Sequence, residues 1–106
     1  MISFIITLIQ ARQTTTTVSS IPTGFQFNTT LKQGMTGNDV KYLQVFLNSD
    51  TSTSIGNSGK ETSYFGNATK AAVGKFQIKY GLVTGTSDSA YGLVGPKTRA
   101  KINSLL

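Results

Sequence analysis

Apolar and polar positions change rhythm near residue 31, and three later stretches carry helical spacing. Val40, Leu43 and Leu47 fall at i, i+3 and i+7, with Tyr42 and Phe46 as a neighbouring stripe. Asn38 reads as the N-cap of this helix and Asp39 complements its dipole, and the pattern stops near Asn48. A second helix is predicted from Asn67 as its N-cap, with Ala72, Val73, Phe76 and Tyr80 facing inward. Gly81 reads as its left-handed C-cap, closed by Leu82 folding back on Phe76. Gly74 weakens such a helix by about 1 kcal/mol relative to Ala, which implies a neighbour packed closely against it. A third helix opens at Pro96, whose missing N–H is not needed in a first turn, and Thr98, Ile102 and Leu105 lie at i, i+4 and i+7.

Between these stretches the sequence is polar. Residues 48–63 are rich in Ser and Thr with Gly56 and Gly59, and residues 83–93 form a second Gly/Ser/Thr loop carrying Asp88 and Tyr91. Phe65-Gly66-x-x-Thr69-Lys70-Ala71 and Val94-Gly95-x-x-Thr98-Arg99-Ala100 repeat one pattern, with the two Thr residues 29 positions apart. Two such units are too few for a solenoid and read instead as two similar helix starts in one small domain. The expected fold class is all-α, a compact three-helix bundle with long polar loops, preceded by an extended N-terminal arm. The predicted core is Leu31, Val40, Leu43, Leu47, Phe65, Val73, Phe76, Leu82, Val94, Ile102 and Leu105, a small one for a chain of 106 residues.

Residues 1–30 form the arm and residues 31–106 the domain. The first nine residues, Met1 to Ile9, are strongly apolar but far short of the roughly 20 needed to span a bilayer as a helix. They lack the basic leader and small cleavage-site residues of a good signal peptide. Three readings stay open: a signal or anchor remnant, a strand used in assembly, or an artefact. Residues 10–30 are Thr- and Ser-rich, as in an extended linker, and Phe25 and Phe27 alternate with polar residues as in a short docking arm.

Composition narrows the chemistry. The net charge is +6, and residues 31–106 hold eight Lys and Arg99 against Asp39, Asp50, Glu61 and Asp88. Such a surface favours anionic partners, although it also simply keeps a small domain soluble. With no Cys and no His, disulfides, thiolate chemistry, His-ligated zinc and His-dependent nucleophilic hydrolysis all fall away. The four carboxylates show no convincing acid/base pair, and Asp50 to Glu61 lacks the intervening ligands of a calcium loop. No enzyme, metal or cofactor is expected. Lys70, Lys75, Lys79 and Arg99 make no recognition-helix pattern, so nucleic acid is not expected as a partner.

Leu31-x-x-Gly34-x-x-Gly37-x-Asp39-Val40-x-x-Leu43-Gln44-x-x-Leu47, Phe65-Gly66-x-x-Thr69-x-x-Ala72-Val73-x-x-Phe76-Gln77-x-x-x-Gly81-Leu82 and Val94-Gly95-x-x-Thr98 resemble, as an ordered set, the peptidoglycan-binding domain family. The resemblance covers residues 31–106. It implies a non-catalytic wall-targeting module on a secreted or surface protein of a bacterium, with peptidoglycan or another anionic envelope glycan as partner. It also implies architectural roles for Gly66, Gly95, Thr69, Thr98, Gln44 and Gln77, the two Gln side chains satisfying loop backbone. A wall glycan calls for an aromatic face, amide or hydroxyl groups and a cation. Tyr64, Asn67, Lys70, Tyr91 and Arg99 lie in or beside the two related turns and are the candidate ligand-binding residues. The competing expectation is a structural subunit of an extracellular filament, a homo-oligomer joined through residues 1–27 by strand addition and head-to-tail contacts.

Overall fold

Three α-helices occupy the stretches with helical spacing: α1 Asn38–Asn48, α2 Asn67–Lys79 and α3 Pro96–Leu105. They are seen in a computed structural model that describes residues 21–57 and 59–106. The apolar segment 1–9 and most of the Thr-rich linker lie outside the described residues. Among the described residues there is no β-strand, only two isolated antiparallel bridges, Leu31 with Val94 and Thr36 with Tyr64. These bridges set the helix starts side by side. Phe65 N–H donates to Met35 O at 2.9 Å and Gly34 N–H to Phe65 O at 2.8 Å, while Leu31 and Val94 exchange bonds of 3.1 and 2.9 Å.

Each helix begins after a glycine rather than at an asparagine. Gly37, Gly66 and Gly95 hold the three N-cap positions, and no cap makes a side-chain hydrogen bond. Asn38 and Asn67, expected as caps, therefore sit one residue inside. The chain reaches each helix directly from bridged, extended backbone, which leaves the cap position to a residue with little or no side chain. At Gly37 the φ of 143° also requires glycine. At the other end of α2 the expectation holds. Gly81 has φ 68°, its N–H donates to Ile78 O at 3.2 Å, and Leu82 N–H donates to Gln77 O at 2.8 Å. That pair of bonds is a Schellman motif, and Leu82 packs against the core.

The core holds Leu31, Val40, Leu43, Leu47, Phe65, Ala72, Val73, Phe76, Val94 and Ile102, together with Phe27 from the arm. Phe27 is 2% exposed and is clamped to α3: its N–H donates to Asn103 Oδ1 at 2.7 Å and its C=O accepts from Asn103 Nδ2 at 3.0 Å. Phe25 lies edge-on to Phe27 and to Tyr42 of α1, with ring centroids 4.8 and 4.9 Å apart. The arm thus closes the open side between α1 and α3.

Two positions of the expected core differ, Leu82, which is half-buried against it, and Leu105. Leu105 is 45% exposed at the very end of α3, and Tyr80, expected to face inward, is also exposed just past α2. The loop after α1 contributes instead. Thr53 is buried and its hydroxyl donates to Leu47 O at 2.8 Å, fastening the loop to the helix it leaves.

Candidate functional site

Two buried glutamines build the ends of the molecule where the turns meet the helices. Gln44 of α1 donates through Nε2 to Tyr64 O at 2.8 Å and Thr69 Oγ1 at 3.1 Å, and its Oε1 accepts from Thr62 N at 2.8 Å. Gln77 of α2 repeats the arrangement one unit later. Its Nε2 donates to Ala90 O and Leu93 O, both at 2.8 Å, and to Thr98 Oγ1 at 3.1 Å, while its Oε1 accepts from Gly92 N at 2.7 Å. Each amide therefore holds the turn that starts the following helix, and each Thr is consumed in that bond. These four residues are architectural, as their buried, satisfied polar groups require.

The five candidate residues have different degrees of freedom. Tyr64 is 54% exposed, and its ring covers Gly66 so closely that a Cβ there would sit 2.9 Å from it. The ring packs against Gly66 while more than half of the residue stays exposed. Asn67 and Lys70 follow on the first turn of α2, both exposed, with Asn67 in hydrogen-bond contact with Gln33. The Lys70 stem lies across Gly92, where a Cβ would meet its Cγ at 2.5 Å. Tyr91, next in sequence to Gly92, lies over Gly74, where a Cβ would fall 2.2 Å from the ring. This is the close neighbour that Gly74 in mid-helix implies, and it makes Tyr91 half-buried packing first and ligand surface second. Tyr64, Asn67, Lys70 and Tyr91 thus gather around the α2 start and the turn before α3. Arg99 is half-buried on the first turn of α3, the position equivalent to Lys70, and among the described residues no hydrogen bond joins it to the other four. Lys70, Lys97 and Arg99 place cations in first turns, where the helix dipole disfavours them.

A concavity unread in the sequence lies at the opposite ends of the helices. It is a groove of about 510 Å³ lined by Phe46, Phe76, Tyr80 and Leu105 on one side and by Ser49, Asp50, Thr51 and Thr53 of the loop on the other. Lys79 forms an ion pair with Asp50 beside it. The Lys79 hydrogen bond, supported by Ser52, lowers the Asp50 pKa from 3.8 to about 2. Asp88 is lowered too, by the backbone N–H groups of Ala90 and Thr84 that it accepts, which order the second loop. The signal for the groove was present only as Phe46 and Tyr80 at helical spacing, which reads equally as core. Among the described residues no cluster of acidic side chains could hold a metal ion, and no helix is long and apolar enough to cross a membrane.

Comparison with known proteins gives the family. The sequence model of the family described as "Putative peptidoglycan binding domain" matches residues 36–102. The 2.05 Å crystal structure of a peptidoglycan-binding protein from Clostridioides difficile, in complex with glutamine hydroxamate, is similar at 35% identity and a TM-score of 0.54. The similarity covers 73% of this chain and 42% of that one, so the chain spans less than half of that protein's resolved length. No curated protein matches the chain. With the glutamine clasps, the glycine-started helices and the family match lying on the same residues, the chain belongs to the peptidoglycan-binding domain family.

Proposed function

We propose that the chain is a non-catalytic module that holds a secreted or surface protein to the bacterial cell wall by binding peptidoglycan. The family match over residues 36–102 carries this reading. The surface around the α2 start supports it. An exposed tyrosine, an amide and a cation stand together at Tyr64, Asn67 and Lys70, the three kinds of group that a sugar ring, its acetamido substituent and a carboxylate call for. Tyr91 orders this surface from below through Gly74, and Arg99 adds a cation on α3.

Binding of the fluorescently labelled chain to purified sacculi tests the assignment of residues. Tyr64→Ala and Lys70→Met are each expected to weaken retention about three- to tenfold, the loss of one modest contact. Unchanged retention in both variants, with the wild-type chain bound, moves the site elsewhere on the molecule.

A further inference from the structure

The groove at the C-terminal ends of the helices is apolar on one side and rich in hydroxyls on the other. Phe46, Phe76 and Tyr80 form a row of rings with successive centroids 5.5 and 4.8 Å apart, and Leu105 extends the wall. Phe76 is buried, so the row rests on the core, while Tyr80 and Leu105 keep 36% and 45% of their surface exposed. A contiguous apolar wall open to water marks a docking surface. Across from it, Thr53 donates to Leu47 O and Ser49 to Phe46 O, whereas the exposed Thr51 hydroxyl has no hydrogen-bond partner among the described residues. The carboxylate in the lining, Asp50, is already paired with Lys79. An apolar peptide segment without charged side chains suits all three features. Its hydrocarbon covers the rings, its backbone N–H and C=O groups meet the hydroxyls, and it brings no charge to disturb the ion pair. A lipid chain leaves the hydroxyl side unanswered.

The chain itself carries such a segment on a tether that begins beside the groove. Met1 to Ile9, outside the described residues, includes Ile2, Phe4, Ile5, Ile6, Leu8 and Ile9 and has no charged side chain. The described residues begin at Ile21, which lines a smaller hollow together with Phe25 and Leu106. Leu106 is bonded to Leu105, a wall residue of the groove. The tether is residues 10–20. Fully extended it covers up to about 35–40 Å, and as a coil it averages about 20 Å. A tether of this length holds the segment at an effective concentration on the order of millimolar, well above that of a second copy in micromolar solution. We propose that this groove is the docking site of the chain's own apolar segment, Met1 to Ile9, within the same molecule. Docking there covers the groove and leaves the surface at Tyr64, Asn67 and Lys70 open, so it stands whether or not that surface binds the wall.

The chain has no Cys, so Gln10→Cys takes a single nitroxide label just beyond the segment. Two-dimensional NMR of the full, isotope-labelled chain then compares amide intensities with the label oxidised and reduced. Because the tether alone keeps the label near this end of the molecule, the deciding quantity is the change made by Ile5→Asp together with Ile6→Asp, which removes the apolar contact and leaves the tether intact. With the native segment, the amides of Ser49, Thr51, Tyr80 and Leu105 are expected to lose most of their intensity. The double substitution is expected to lower the docked population about tenfold and to return that intensity. Leu105→Asn, at an exposed position on the last turn of α3, should do the same from the groove side. Ile78→Asn, equally exposed on α2 but outside the groove lining, should leave the broadening unchanged. Equal broadening with the native and the doubly substituted segment, or broadening as strong at Tyr64 and Asn67 as at the groove, overturns the assignment. So does broadening that appears only between molecules in a mixture of spin-labelled and isotope-labelled chains, which gives the groove to a second copy.

Discussion

At the scale of single residues, the repeated use of one side chain for several backbone groups is what lets so small a bundle carry two long polar loops. Gln77 answers one N–H and two carbonyls in the turn before α3, and Gln44 answers one N–H and one carbonyl before α2. That these glutamines satisfy backbone was implied by the family resemblance. Their specific partners were not, because a hydrogen bond spanning 13 to 25 residues has no local trace in sequence. Gly74 and Tyr91 show the same limit from the other side: the glycine announced a close neighbour without naming it. A coupled test follows. Gly74→Ala has to push the Tyr91 ring off α2, so it is expected to destabilise the chain by about 1 kcal/mol, the lost ring packing exceeding the gain in helix propensity. In a Tyr91→Ala background the same change should become stabilising by up to about 1 kcal/mol. Denaturant midpoints of the four chains read the cycle, and an unchanged sign in the second background removes Tyr91 as the cause.

Between elements, α2 is fastened to the loop after α1 by charge as well as by packing. The Asp50 carboxyl, held near 2 by Lys79, is easier to ionise in the folded chain than in the unfolded one at 3.8. Its contribution to stability is therefore complete above the unfolded value and disappears as pH falls from about 4 toward 2. Because both partners are exposed, the effect is small and weakens in salt. Denaturation of wild type and Asp50→Asn across that range should show a stability difference that shrinks on acidification. A difference independent of pH contradicts the pair. Helix positions and the Schellman end of α2 were legible from spacing and from Gly81. The helix starts were misjudged by one residue at Asn38 and Asn67, since a good capping side chain is no guide where bridged backbone delivers the chain to the helix. Leu105 kept the helical spacing of a core residue, but spacing along one helix does not say whether another element covers its last turn.

For the whole molecule, the arm completes the core rather than trailing from it. Phe27→Ala is expected to cost about 3–5 kcal/mol, the loss of a buried aromatic side chain, and Asn103→Ala about 1–3 kcal/mol through the Phe27 backbone groups it leaves unpaired. Thermal melts of both variants check this, and near-wild-type midpoints mean that the arm does not support the fold. The sequence showed Phe25 and Phe27 as a docking pattern yet could not say where they dock, because the acceptor is a polar side chain on α3. The candidate ligand residues near α2 were visible as residue types beside a repeated turn, whereas the groove was not, since it forms only when three helix ends and a loop converge.

The most direct test of the account is co-sedimentation of the full chain with purified peptidoglycan sacculi, with chitin, an uncharged N-acetylated glycan, as the comparison. The account predicts saturable retention on sacculi at low salt, weaker retention on chitin, and partial release from sacculi as salt screens the lysines. A chain left wholly in the supernatant with sacculi at low salt, or one held equally by both polymers at every salt concentration, contradicts it.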